Sequence, residues 1–339
     1  MKLNKLLALG VVLASGLTLT SCNKAESVEA GIGYSVTFDA AKGQADVTVA
    51  FAGFDAEGKI TDARIDVVQV TVKPGEDGTW TQSGTKTNDN GIISKLELGK
   101  DYNMVTYGNA IAEVDAQIEA FADWTVGQTI EELKANVAAS HGYGVAPHAD
   151  LASSVTIVCH EFVSALEKAY ELRNEAIEVS SKAQAGVGIA TSLSSKDGYG
   201  ELTVFASGAL MDGETIQAAA IDEIVIQVEQ VVAEESTSYQ IKESKYYAEG
   251  KVLSKETLKE AYGMAGRATL GEWYVQVANL EKYAAGKTIA QLLAQVGENN
   301  KPAEGSELAG ATSMTVNGYL AALEEAANYA SLEHVGPQA

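Results

Sequence analysis

Two distant stretches of this chain align with one another without a gap. Asp150-Leu151-Ala152-Ser153-Ser154-Val155-Thr156-Ile157 opens a segment that runs to Ala169, and Glu307-Leu308-Ala309-Gly310-Ala311-Thr312-Ser313-Met314 opens one that runs to Ala326. Leu151 falls on Leu308, Phe162 on Tyr319, and Ala165-Leu166-Glu167 on Ala322-Leu323-Glu324. A fixed-order duplication means two copies of one unit, so a site is expected twice unless one copy has lost it. The copies span residues 30–179 and 185–330. They start alike, at Ala30-Gly31-Ile32-Gly33 and Ala185-Gly186-Val187-Gly188, and a polar joint, Ser180–Gln184, separates them.

Each copy opens with strands. Ala45 to Phe51 alternates and is rich in β-branched residues, Phe54 to Lys59 reads as a turn, and Ile60 to Val72 carries a longer strand. The second copy matches with Glu201 to Phe205, a turn at Met211-Asp212-Gly213, and Ile221 to Val232. Helices follow. Val114, Ile118 and Phe121 fall at helical spacing, matched by Trp273, Val277 and Leu280. Gly127 and Gly286 sit where a C′ glycine would stop each helix. Thr129 with Glu132, and Thr288 with Gln291, then fit capping boxes. A last helix is expected from His160 to Val179 and from Gly318 to Ala330. Segregated strands and helices predict an α+β fold, two tandem copies of a small antiparallel sheet with helices.

Residues 1–21 read as a processing segment rather than as fold. Lys2 and Lys5 precede an apolar run, Leu6 to Leu19, that is shorter than the roughly 20 residues a spanning helix needs. It ends in Leu19-Thr20-Ser21-Cys22, which resembles the lipobox of bacterial lipoproteins. That resemblance implies a lipid on Cys22, a membrane anchor without a spanning helix, and a location on the outer side of the cell membrane. Residues 22–29 then read as a polar tether. The full chain carries a net charge of −22, and loss of Lys2 and Lys5 takes it to −24. Such a surface repels phosphate backbones and excludes nucleic acid as a partner. With Cys22 acylated, Cys159 is left without a disulfide partner and reads as a buried structural thiol.

The stretch before the last helix is the strongest candidate for chemistry. Ser153, Ser154 and Thr156 approach a helix N-terminus, where hydroxyls suit capping or phosphate contact. Here the chain resembles the FMN-binding-domain family of lipoproteins and membrane subunits. Their signature is an acid, two variable residues, Ser, Gly, Ala, Thr, a variable residue, then Ser or Thr. The resemblance implies covalent FMN esterified to that Thr by a separate flavin transferase. It also implies electron transfer outside the membrane from a membrane donor. Carried over, Asp150 is the acid, Ser153 the Ser and Thr156 the flavin-bearing residue, with Ser154 and Val155 departing from Gly and Ala. In the second copy Glu307 is the acid and Gly310 takes the place of the Ser. The acceptor is Ser313 by the gapless alignment, or Thr312 if Gly310-Ala311-Thr312 sets the frame. The alternative is a cofactor-free binding or scaffold lipoprotein on the same fold.

Tyr102 with Met104 recurs as Tyr262 with Met264, and Trp273 and Tyr274 open a second-copy helix. Aromatics of this kind stack on flavin rings or fill a core. His141 and His148 read as exposed loop residues, and no histidine matches them in the second copy, so no metal site is expected. No nucleophile–base pair repeats, so the chain reads as a carrier or binder rather than a catalyst. Gly31-Ile32-Gly33 lacks the third glycine and following helix of a dinucleotide loop.

Overall fold

The computed structural model describes residues 25–137, 141–233 and 236–330; Cys22 and the leader lie outside them. The first half builds β1 (Ala25–Asp39), β2 (Gln44–Phe54), β3 (Ile60–Pro74) and β4 (Trp80–Ser83). Its helices are α1 (Lys95–Leu98), α2 (Val114–Thr125), α3 (Ile130–Asn136) and α4 (His160–Glu171). A short β5 (Ile177–Ser180) leads into the second half: β6 (Gln184–Lys196), β7 (Tyr199–Asp212), β8 (Thr215–Ala233) and β9 (Ser236–Ile241). Helices α5 (Lys255–Leu258), α6 (Trp273–Ala284), α7 (Ile289–Leu293) and α8 (Asn317–Ala330) complete it. The fold is α+β. The two larger sheets are antiparallel, in the orders β4-β3-β2-β1-β5 and β9-β8-β7-β6.

The sheets stack face to face, with β3 across β6 and β1 across β8. Val187, Leu202, Val204, Ile224 and Ile226 of the second sheet join Phe51, Val68 and Val70 of the first in one buried core. The outer face of each sheet is covered by its own helices, α4 on β1 and β2, α8 on β6 and β7. Strands buried on both faces need not alternate strictly, which explains runs such as Ile224-Val225-Ile226. The local stop signals form as the sequence predicts. Gly127 and Gly286 take positive φ (84° and 79°), and both Thr129–Glu132 and Thr288–Gln291 close as capping boxes.

The recurrent Gly-x-Gly has a packing role. A Cβ on Gly31 or Gly33 would collide with the backbone of Ala169 or Ala165, and one on Gly186 or Gly188 with that of Ala326 or Ala322. The glycines let each final helix lie directly on its first strand, Ala against Gly, in both copies.

Three expectations are corrected. The last helix of the first half ends at Glu171, not near Val179, because the Asn174 N–H bonds the carbonyl of Ala30 (2.9 Å) and turns the chain into β5. Residues 25–29, read as tether, belong to β1, and Ala25–Val28 pair with Ile177–Ser180. His141 is buried rather than exposed: its Nε2 accepts the Cys159 N–H (3.0 Å) at the head of α4. Cys159 itself is buried, and burial pushes its thiol up to about 12.

Asp66 and Asp222 occupy matching inner-face positions. Each accepts backbone N–H groups at the head of a short helix, Leu96 to Asp66 (3.0 Å) and Glu256 to Asp222 (3.2 Å), and in each Oδ2 is left unpartnered. Burial pushes both carboxyls up to about 7. An unfolded aspartate titrates near 4. The folded state therefore holds protons that the unfolded state releases between about pH 4 and 7. This contribution to stability is complete below about pH 4 and is lost as the pH rises through about 7. The thermal midpoint is expected to be higher at about pH 5 than at about pH 8. Asp222→Asn, which keeps the acceptor and removes the titration, should narrow that gap. A gap unchanged in the variant would assign the pH dependence elsewhere.

Candidate functional site

The segment before each final helix is organised by a buried glutamine that the sequence reading did not single out. In the first half, Gln117 of α2 accepts the Thr156 N–H (2.8 Å) and hydroxyl (3.3 Å) on Oε1 and donates Nε2 to Ala112 O (2.8 Å). In the second, Gln276 of α6 accepts the Ser313 N–H (2.9 Å), the Ser313 hydroxyl (3.1 Å) and the Thr312 hydroxyl (3.2 Å), and donates to Gly271 O (3.1 Å). Both glutamines are fully buried. The shared bond settles the frame: Ser313 is the counterpart of Thr156, and Thr312 that of the buried Val155. Thr312 is fully buried, with its oxygen also accepting the Met314 N–H. The repetition of a polar residue one place before Ile118 and Val277 was the available signal.

The other signature positions lie apart from this hub. Asp150 is exposed in a single helical turn, its carboxylate 3.4 Å from His148 Nδ1, and Ser153 is exposed. Gly310 is exposed, with open space around it. In the first half the hydroxyls do not cap the final helix: α4 follows Cys159, which makes no side-chain cap bond. Among the described residues no group of three His, Cys, Asp or Glu side chains is placed to hold a metal ion, and no helix is long and apolar enough to cross a membrane.

The copies diverge beside the hub. Where the first half has Val67, Val114 and Phe162, all buried in its core, the second has Glu223, Trp273 and Tyr319. The indole N–H of Trp273 donates to the Tyr319 hydroxyl (2.9 Å), which donates to Glu223, which pairs with Lys255 Nζ (2.6 Å). Burial, then the Glu223 charge, holds the Tyr319 phenol well above its ordinary value. This buried polar chain ends at a cleft of about 540 Å³ lined by Ser313, Tyr262, Trp273, Lys255, Arg267 and Lys301, within the size range of small-molecule sites. Lys255 stands 4.6 Å and Lys245 4.2 Å above the Tyr262 ring. Desolvation, followed by the charges of Lys255 and Arg267, pushes Lys245 below the ordinary lysine range. In a chain of strong acidic excess, three cations, Lys255, Arg267 and Lys301, and one carboxylate, Glu223, line one aromatic-walled cleft.

No family model matches the sequence, and no curated protein or solved structure matches it.

Proposed function

We propose that the chain is a surface lipoprotein whose second half holds an anionic, ring-bearing ligand. The observation that carries this reading is the cleft that Lys255, Arg267 and Lys301 line together with Ser313, Tyr262 and Trp273. With the resemblance to FMN-binding domains, the ligand is FMN, esterified through Ser313 by a separate transferase, and the role is electron carriage outside the membrane. Toward that group the cleft offers Arg267 and Lys301 for a phosphate, an aromatic lining for a ring, and a hydroxyl held by Gln276 at its wall, while Lys255 is already paired with Glu223. Bound flavin would supply the redox chemistry; the protein's own residues bind and orient. Thr312 is enclosed and is not the acceptor. The first half, with Val67, Val114 and Phe162 in place of the polar chain, supports Thr156 less well and is read as scaffold.

Intact mass of the chain made with a flavin transferase tests this. One added FMN is expected, lost in Ser313→Ala and retained in Thr156→Ala. Loss in Thr156→Ala alone would move the site to the first half. No added mass, with a transferase active on a control substrate, would remove the covalent flavin. The cleft would then be read as that of a non-covalent binding protein.

A further inference from the structure

The pseudo-symmetry of the two halves breaks at one strand edge. In the second half, the free edge of β6 is occupied. Thr191 donates its N–H to the carbonyl of Asn90 (2.8 Å), and its hydroxyl accepts the N–H of Ile92 (2.8 Å). The turn of a small hairpin of the first half, Asn90 to Ile92, thus caps that edge at Thr191. The matching residues of β1 are Tyr34 to Phe38. In an antiparallel pair, alternate residues point their backbone groups away from the partner. Ala30, opposite Gly53 in β2, does so, giving its carbonyl to Asn174. By alternation Tyr34, Val36 and Phe38 also turn theirs outward, yet among the described residues the Val36 and Phe38 N–H groups have no partner.

This bare edge floors a cleft of about 530 Å³. One wall is α4, presenting Ser164, Glu167 and Lys168; the other mixes Ile241, Val252 and Leu253 with Tyr247, Lys251 and Thr257. Near one end of the edge the Tyr34 hydroxyl donates to Val252 O (3.0 Å), and beyond the other the Tyr239 N–H donates to Ala40 O (2.8 Å). Unpaired edges are normally blunted by charge, proline, a bulge or a cover; here the chain covers one edge and leaves its twin open in a groove.

We infer that the β1 edge is a docking site for an extended peptide of a partner protein, which adds as a strand along Tyr34–Phe38. Main-chain bonds to β1 supply the affinity, and side-chain alternation supplies the selectivity. Residues of one parity meet Ile241, Val252 and Leu253; those of the other meet the polar face of α4. The preferred peptide alternates apolar and polar residues over about five positions, the length that matches Tyr34–Phe38 at roughly 3.4 Å per residue. The inference is independent of the flavin reading, since the groove is formed without the Ser313 cleft.

The probe is the capped peptide acetyl-Thr-Val-Thr-Val-Thr-amide, titrated into the mature chain and followed by hydrogen exchange. Saturable binding is expected, with the Val36 and Phe38 amides exchanging fast in the free protein and slowing in the complex. Val36→Pro removes one N–H from an edge that makes no bond with it, and is expected to weaken binding about tenfold or more, with some loss of thermal midpoint from the packing of the Val36 side chain. Should that variant unfold, the same peptide N-methylated at alternate amides decides on the wild-type chain, where loss of binding supports the inference. Slow exchange at Val36 and Phe38 before any peptide is added would overturn it. So would absence of saturable binding, or binding unaffected by N-methylation.

Discussion

Gly186→Val is expected to cost the protein about 3 kcal/mol or more, at the upper end for overpacked cores. A Cβ there would sit inside the radius of the Ala326 carbonyl oxygen. That oxygen belongs to the backbone of α8, and no rotamer change can relieve the collision. The helix must lift from β6, and lifting it opens the packing of Leu320 and Leu323 as well. A loss of this size lowers the thermal midpoint of a chain this long by about 5 °C. Gly310→Ala is the control. Gly310 has open space around its Cβ position, and the exchange should stay within about 1 kcal/mol. Equal midpoints for Gly186→Val and wild type would mean that α8 does not lie on β6 in solution.

Gln276→Leu should be nearly as damaging, for a different reason. One oxygen of Gln276 receives three donors, one from the fully buried Thr312 and two from the half-buried Ser313. Leucine fills the space but accepts nothing. Leaving the Ser313 N–H and its neighbours unpartnered should cost about 3 kcal/mol. The change also frees Ser313 from its fixed place at the cleft wall. If the chain is flavinylated there, the modified fraction should fall more than in Gln117→Leu, which performs the same deletion in the first half. Denaturant unfolding reads the stability, and intact mass reads the modification. Equal modification in the two variants would detach Ser313 from the role proposed for it.

Local signals were legible and long-range ones were not. The Gly127 stop and the Thr129–Glu132 box are written within a few residues, so the sequence predicts them and they form. The Gly31–Gly33 pair depends on which helix covers β1, and that helix lies far along the chain; a motif search sees only a failed phosphate loop. The end of the first half's final helix was misplaced because apolar periodicity continues past Glu171, while the bond that ends it comes from Ala30. The site was half visible. The alignment pairs Val114 with Trp273 and Phe162 with Tyr319, and both exchanges look conservative by hydrophobicity. Each adds one polar atom, and with Glu223 opposite Val67 those atoms meet in space. Noting where a duplicate gains buried polar atoms would have pointed to the second half.

The start of β1 has a consequence for how the protein would stand on a membrane. Strand pairing with β5 begins at Ala25, so a lipid on Cys22 leaves Asn23 and Lys24 as the whole leash, about 11 Å when fully stretched. The sandwich would be a post set at the bilayer surface rather than a float on a line. Its acidic surface would hold it upright against anionic headgroups, and any partner would have to meet it within one protein diameter of the membrane.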